Sequence, residues 1–175
     1  MDNAKLLISQ NEIKHKIAEV ARQLDDEYQG EELTIVMVMK GALCITADLI
    51  RELKVPCKIE YVSASSYGRR GTERGELKLL GIEELDLAAK NVLLVDDVFD
   101  SGETISRIVE ALQRKKPKTL KSLVLLAKKA DRAVVYKPDY VLFNIENHFV
   151  IGFGLDYKEY YRGLPGIYTL NQRTS

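Results

Sequence analysis

Asn91–Lys116 reads NVLLVDDVFDSGETISRIVEALQRKK. The opening NVLLV, Asn91–Val95, is rich in branched apolar side chains and suits a strand covered on both faces. From Thr104 to Lys116 the period changes: Ile105, Ile108, Val109 and Leu112 make one apolar stripe that Pro117 stops, which predicts a helix. Arg114, Lys115 and Lys116 in its last turn suit the negative end of the helix dipole. Outward from this unit the same alternation recurs. Leu33–Met39 (LTIVMVM) is a second apolar run, punctuated by Gly41 and followed by a helical stretch, Ala42–Leu53, that ends before Pro56. Residues 58–64 read as a strand, and Ser65–Leu77 (SSYGRRGTERGEL) as a loop without period. Leu123–Leu126, Tyr140–Phe143 and Phe149–Gly152 are further strands. Near the start, Ser9 and Glu12 have capping-box spacing ahead of Ile13, Ile17, Val20, Ala21 and Leu24, so residues 10–24 should form an amphipathic helix. Strands alternating with helices predict an α/β architecture: a doubly wound, mostly parallel sheet flanked by helices, with ligands beyond the strand carboxyl ends.

Length and composition set the outer limits. The 175 residues fit a single domain, expected to span 1–175, and can bury a core without disulfide or metal staples. Hydrophobic residues at 46% and charged residues at 30% exclude a disordered chain. The 26 Lys and Arg are balanced by 26 Asp and Glu, which argues against a dedicated nucleic-acid coat. Cys44 and Cys57 each lie among apolar neighbours, arguing against a disulfide-framed secreted fold. The opening residues lack a cationic start followed by an apolar run, and no apolar stretch reaches the ~18 residues of a membrane span. A cytoplasmic address, with no membrane or nucleic-acid partner, is the expectation.

The chemistry concentrates at DDVFDSGET. Asp96 and Asp97 stand where an apolar strand is read to end, a costly position for charge unless ligand, water or cation satisfies it. Asp100, Ser101, Gly102, Glu103 and Thr104 then form a short turn before a helix, where free backbone N–H groups, the helix dipole and two hydroxyls converge on one point. Gly102 allows positive φ or a close approach to phosphate. Carboxylates accept from a sugar diol while amides hold its phosphate, so a ribose 5-phosphate suits the pair of sites. Each residue also has a plainer reading: Asp100 or Ser101 capping the helix, and the acidic pair solvated.

VLLVDDVFDSGETI, Val92–Ile105, resembles the phosphoribosyl-pyrophosphate signature of type I phosphoribosyltransferases over its whole length. Leu126–Pro165, LAKKADRAVVYKPDYVLFNIENHFVIGFGLDYKEYYRGLP, resembles the purine-binding half of hypoxanthine-guanine phosphoribosyltransferases. Met37–Leu53, MVMKGALCITADLIREL, and Ser63–Gly68, SASSYG, resemble that family's pyrophosphate and flexible loops. The resemblance covers nearly the whole chain in the right order, with LDYKEYYR its most discriminating piece. Two positions depart from the family pattern: Asp96, where Glu is usual, and Glu103, where a Lys or neutral residue is usual.

The resemblance implies a type I fold with a small hood built from the chain ends. It also implies Mg²⁺-dependent transfer of phosphoribose from phosphoribosyl pyrophosphate to N9 of a 6-oxopurine, giving IMP or GMP. It assigns the phosphoribosyl group to Asp96, Asp97, Asp100, Ser101, Gly102, Glu103 and Thr104. Pyrophosphate falls to Lys40, Gly41 and Arg162, with Ser66 and Tyr67 opening a glycine-rich lid. The purine falls to Lys128, Phe149, Val150 and Asp156, and the metal to Asp96, Asp97 and Asp156. Asp100 is the expected proton-transfer group near purine N7, and Lys128 the donor to O6. The Met39–Lys40 bond can be cis in this family, and members are dimers or tetramers. Judged alone, Lys40 and Lys128 could be solvated strand-end lysines and Phe149 simply core. Two readings of other classes compete: an RNA-binding regulator of the same fold that senses phosphoribosyl pyrophosphate, and a receiver domain. The neutral charge balance and the Lys128, Phe149 and Asp156 set favour an enzyme over the regulator. A receiver's acid pair belongs near the chain start rather than in one mid-chain turn. A preference for xanthine remains an open alternative.

Overall fold

The computed structural model describes residues 4–66, 77–129 and 134–170. Its central sheet has the strand order β4-β3-β2-β5-β6-β7, formed by Leu77–Leu80 (β4), Cys57–Ser66 (β3), Leu33–Met39 (β2), Asn91–Phe99 (β5), Thr119–Lys128 (β6) and Tyr140–Ile145 (β7). All neighbours are parallel except β4, which runs antiparallel to β3. Helices α1 (Gln10–Glu27) and α2 (Leu43–Glu52) cover one face, where Ile13, Ile17, Leu24, Ile45 and Leu49 pack with Leu33, Ile35, Leu93 and Val95. Helix α3 (Glu103–Gln113) covers the other, with Ile105, Ile108 and Leu112 against Val36, Leu94 and Val124. Coverage on both faces is why the β2, β5 and β6 sequences are apolar without alternation.

Local signals set the element boundaries. Ser9 caps α1 as predicted: its Oγ accepts from Glu12 N–H, and Glu12 Oε2 accepts from Ser9 N–H at 2.8 Å. The helix continues one turn past residue 24 to Glu27. A second, three-stranded antiparallel sheet, β1-β9-β8, joins Ala4–Ile8 (β1) and Ile167–Leu170 (β9) with Val150–Ile151 (β8). This is the hood, and it brings both ends of the described chain together.

Three readings need correction. Strand β5 continues through Asp96 and Asp97 to Phe99, so the acidic pair lies within the strand rather than at its end. Helix α3 stops at Gln113, leaving Arg114 as its C-cap and Lys115 and Lys116 outside it. Lys115 Nζ donates to Glu83 O at 2.8 Å, so its role is a tertiary contact rather than dipole compensation. The stretch read as a loop from Ser65 contributes Ser65 and Ser66 to β3, and its last residue, Leu77, to β4.

Candidate active site

The chain turns outward from β2 to β3 and then returns to β5 on the other side of β2. The switch point of the sheet therefore lies between β2 and β5, where open α/β sheets hold their ligands. Both chemistry-bearing turns leave the sheet there: Lys40-Gly41 directly after β2, and Asp100–Glu103 directly after β5. The Met39–Lys40 peptide bond is cis.

Asp96 is buried and its Oδ1 accepts from Asp97 N–H at 2.9 Å, while Asp97 Oδ1 accepts from Val98 N–H at 2.8 Å. Burial, and then the neighbouring Asp97 carboxylate, push the Asp96 carboxyl well above the ordinary range. Burial also raises Asp97, although Arg162 opposes this. One carboxylate is buried and its neighbour half-buried, and the charge of each is disfavoured by removal from water. Asp97 also touches the other turn, because a Cβ at Gly41 would lie 1.7 Å from Asp97 Oδ2. Only glycine fits between β2 and that carboxylate.

Past β5 the chain enters α3 through Gly102, whose φ of 81° is left-handed. A Cβ there would meet Val134 Cγ2 at 2.3 Å and Phe99 Cε2 at 2.9 Å. Among the described residues no side chain caps α3, and Ser101 Oγ accepts from Glu103 N–H at a long 3.4 Å. Such a helix start can receive an anion. Glu103 and Thr104 occupy the first turn of α3 and are half-buried. The β5–β6 pairing ends at Phe99↔Ala127, which puts the next residues side by side. Lys128 Nζ lies 3.6 Å from Asp100 Oδ2, with the Lys side chain 14% exposed and the Asp 51%. Lys128 is thus no solvated strand-end lysine.

The segment after β8 closes the other side. Arg162 grips Gly154 twice: its backbone O accepts from Gly154 N–H at 2.9 Å, and its Nη1 donates to Gly154 O at 2.7 Å. Arg162 Nη2 meets Asp156 Oδ1 at 2.8 Å, and its buried Nε has no partner among the described residues. Gly154, with φ 98°, packs directly on Gly41, since a Cβ there would lie 2.1 Å from Gly41 O. Lys40 Nζ is 2.6 Å from Glu159 Oε2. Glu159, Gly154 and Tyr157 were not singled out from sequence. Their contacts span up to 119 positions and leave no local periodic trace.

Val150 is buried in β8, paired with Thr169 of β9. Phe149 just before it is 38% exposed, with its ring 5.7 Å from that of Tyr157 at 87°. It is therefore a partly open aromatic surface, not core. Ser66 ends β3, and Tyr67 lies outside the described residues. Among the described residues no three His, Cys, Asp or Glu side chains converge as a metal cage. Asp96 and Asp97 adjoin each other, whereas Asp156 is engaged by Arg162. The expected metal set of Asp96, Asp97 and Asp156 is therefore not assembled by the protein alone.

The phosphoribosyl transferase domain family matches residues 7–158. The hypoxanthine-guanine phosphoribosyltransferase of Aquifex aeolicus is 39% identical over 165 residues, 94% of this chain and 93% of that protein. The chain belongs to the hypoxanthine-guanine phosphoribosyltransferase family. The bifunctional protein TilS/HprT of Listeria innocua is also 39% identical, over 95% of this chain but 26% of its own length, so the chain spans about a quarter of that relative. A solved structure of the Trypanosoma cruzi hypoxanthine phosphoribosyltransferase, in complex with the product IMP, matches with a TM-score of 0.90 and 34% identity, covering 100% of this chain and 98% of that one. In this member of the family the two sequence departures have structural settings. The short Asp96 arm is used within β5, on Asp97 N–H, and Glu103 stands at the positive end of α3, where an acid is favourable.

Proposed function

We propose that this chain transfers phosphoribose from phosphoribosyl pyrophosphate to N9 of hypoxanthine or guanine, releasing pyrophosphate, as a purine-salvage enzyme. The observation that carries this reading is the Asp100–Lys128 pair, 3.6 Å apart at the carboxyl end of β5 and β6. As the ribose C1–O bond breaks, positive charge grows on the sugar and negative charge on the departing diphosphate. Asp96 and Asp97 face the first and Lys40, Gly41 and Arg162 the second, which is the charge pattern such a transition state needs. The phosphate of the sugar is held by the α3 start through Ser101, Gly102, Glu103 and Thr104, mainly by backbone N–H. Arg162 offers to the diphosphate its Nε, which has no hydrogen-bond partner among the described residues. Ser66 and Tyr67 are assigned to the diphosphate as well.

Phe149 supplies a ring face for the base, and backbone at Val150 and Asp156 meets its 2-position. Lys128 donates to O6 and Asp100 exchanges the proton at N7. A 6-amino purine would set donor against donor, and a site built around one hydrogen bond rejects such an analogue strongly. The carboxylate oxygens of Asp96 and Asp97 suit Mg²⁺, which prefers one or two carboxylates plus substrate phosphates and water to a protein cage. Asp156 would join them once Arg162 turns to the diphosphate. When bound, the ion would neutralise charge on the diphosphate.

No helix among the described residues is long and apolar enough to cross a membrane. The free thiols of Cys44 and Cys57 support a cytoplasmic setting. Exposed Ile59, Tyr61 and Leu80 on β3 and β4 support self-association as a dimer or tetramer. The deciding experiment is ultraviolet absorbance with Mg²⁺, phosphoribosyl pyrophosphate and each purine in turn. Hypoxanthine and guanine react, adenine barely, and Asp100→Asn lowers turnover by roughly 10²–10⁴. Equal rates with adenine, or an Asp100→Asn variant as fast as the parent, overturn the reading.

A further inference from the structure

Glu159 places one carboxylate across two cations. Its Oε2 lies 2.6 Å from Lys40 Nζ and its Oε1 3.5 Å from Arg162 Nη2. These are the two side chains assigned above to the diphosphate, and they come from opposite sides of the cleft, one after β2 and one after β8. Glu159 reaches them from a two-residue turn, Lys158-Glu159, closed by the Tyr157↔Tyr160 bridge. Both central residues have positive φ, 53° and 70°, a conformation that Asn and Gly adopt more readily than Lys or Glu. Asp156 Oδ2 accepts Glu159 N–H at 2.8 Å and so aims the turn, while Asp156 Oδ1 holds Arg162. The segment thus presents an anion, at the end of a flexible arm, to a pair of cations spaced for two oxygens.

We propose that Glu159 is an internal competitor of the diphosphate: it occupies Lys40 and Arg162 when the site is empty and returns to them as pyrophosphate leaves. This inference rests on the assignment of Lys40 and Arg162 to pyrophosphate. Two consequences separate it from a merely structural ion pair. First, Glu159 opposes diphosphate binding, so neutralising it tightens binding, whereas loss of a stabilising contact would loosen it. Second, the effect passes through Lys40, so it shrinks when Lys40 is neutral. Glu159 and Lys40 are 64% and 60% exposed, so the gain is that of one exposed ion pair and is screened by salt.

Calorimetric titration of inorganic pyrophosphate at fixed Mg²⁺ tests this with four proteins: the parent, Glu159→Gln, Lys40→Met and the double variant. At low salt Glu159→Gln binds pyrophosphate about three-fold more tightly than the parent, and the advantage fades toward 0.5 M salt. In the Lys40→Met background the same substitution gives a clearly smaller gain, because only the longer Arg162 contact remains. Steady-state kinetics of Glu159→Gln show KM for phosphoribosyl pyrophosphate falling, with kcat lowered where pyrophosphate release limits the cycle. Unchanged or weaker pyrophosphate binding by Glu159→Gln overturns the inference while leaving the assigned site intact. So does an equal gain in both backgrounds. Absence of pyrophosphate binding by the parent overturns the assignment itself, and the inference with it.

Discussion

Replacing Gly154 by alanine tests how tightly the two halves of the cleft are pressed together. The new Cβ would sit 2.1 Å from Gly41 O and 3.3 Å from Gly41 C, atoms of backbone rather than of a side chain that can swing away. The φ of 98° adds a second cost, because an L side chain rarely adopts it. Left-handed strain costs about 1–2 kcal/mol. Overpacking against fixed atoms costs about 1–3 kcal/mol. Together they give about 3 kcal/mol, which lowers Tm by roughly 6–12 °C in a domain of this size. Two other glycines separate the contributions. Gly30 has φ 79° but nothing within 4 Å of its added Cβ, so Gly30→Ala carries strain alone and falls by roughly 2–8 °C. Gly163 has open space and no positive φ, so Gly163→Ala leaves Tm unchanged or slightly raised. Scanning calorimetry of the three variants gives the order directly. Should Gly154→Ala fall no further than Gly30→Ala, the close packing of Gly154 on Gly41 is refuted. The same variant displaces the Lys40-Gly41 turn, so its KM for phosphoribosyl pyrophosphate should rise while KM for the purine changes little.

Ser9→Ala removes the α1 capping box and should cost about 1 kcal/mol, seen as a Tm drop of roughly 2–4 °C; an unchanged Tm would mean that α1 is held by its buried face alone. Lys128→Met should lower kcat/KM for hypoxanthine by roughly 10- to 100-fold, the worth of a hydrogen bond to a charged group, and affect adenine far less. An equal fall for both bases would contradict the O6 contact. Burial and the Glu27 carboxylate, which accepts the Tyr140 hydroxyl at 2.6 Å, push Tyr140 up to about 12. An unfolded tyrosine titrates near 10, so this contribution is intact below about pH 10 and is lost as pH rises toward 12. Urea midpoints should therefore decline over that window, less steeply in Tyr140→Phe, and identical slopes for the two proteins would rule the contribution out.

Much of the architecture could be read from residue pattern because burial on both faces leaves an unmistakable trace. LTIVMVM and NVLLV have no alternation, and in the folded chain β2 and the first six residues of β5 present no exposed residue. The α1 start was equally legible, since Ser9 and Glu12 satisfy each other within one turn. The reading failed where charge or exposure masks the pattern. Asp96 and Asp97 looked like the end of β5, yet the strand continues because backbone N–H groups of Asp97 and Val98 donate to their carboxylates and offset part of the cost of placing them there. Strand β1, with three exposed residues of five, and four-residue β4 carry too little periodicity to stand out. At the site, Asp100 and Lys128 were legible through motif and resemblance, and β5–β6 pairing brings them together. The Glu159 bridge was not, because it joins positions 40, 159 and 162 through the shape of the cleft.

The hood has one consequence for how the polypeptide could be rewired. Ala4 faces Leu170 across β1 and β9, so the two ends of the described chain are antiparallel neighbours about 5 Å apart. A short tether from Leu170 to Ala4 could join the two strands without crossing the cleft, freeing this domain to be opened elsewhere. The turn between α3 and β6, at the end of the sheet opposite the candidate site, would be the natural new beginning, and a chain permuted there would keep its β2–β5 crevice whole.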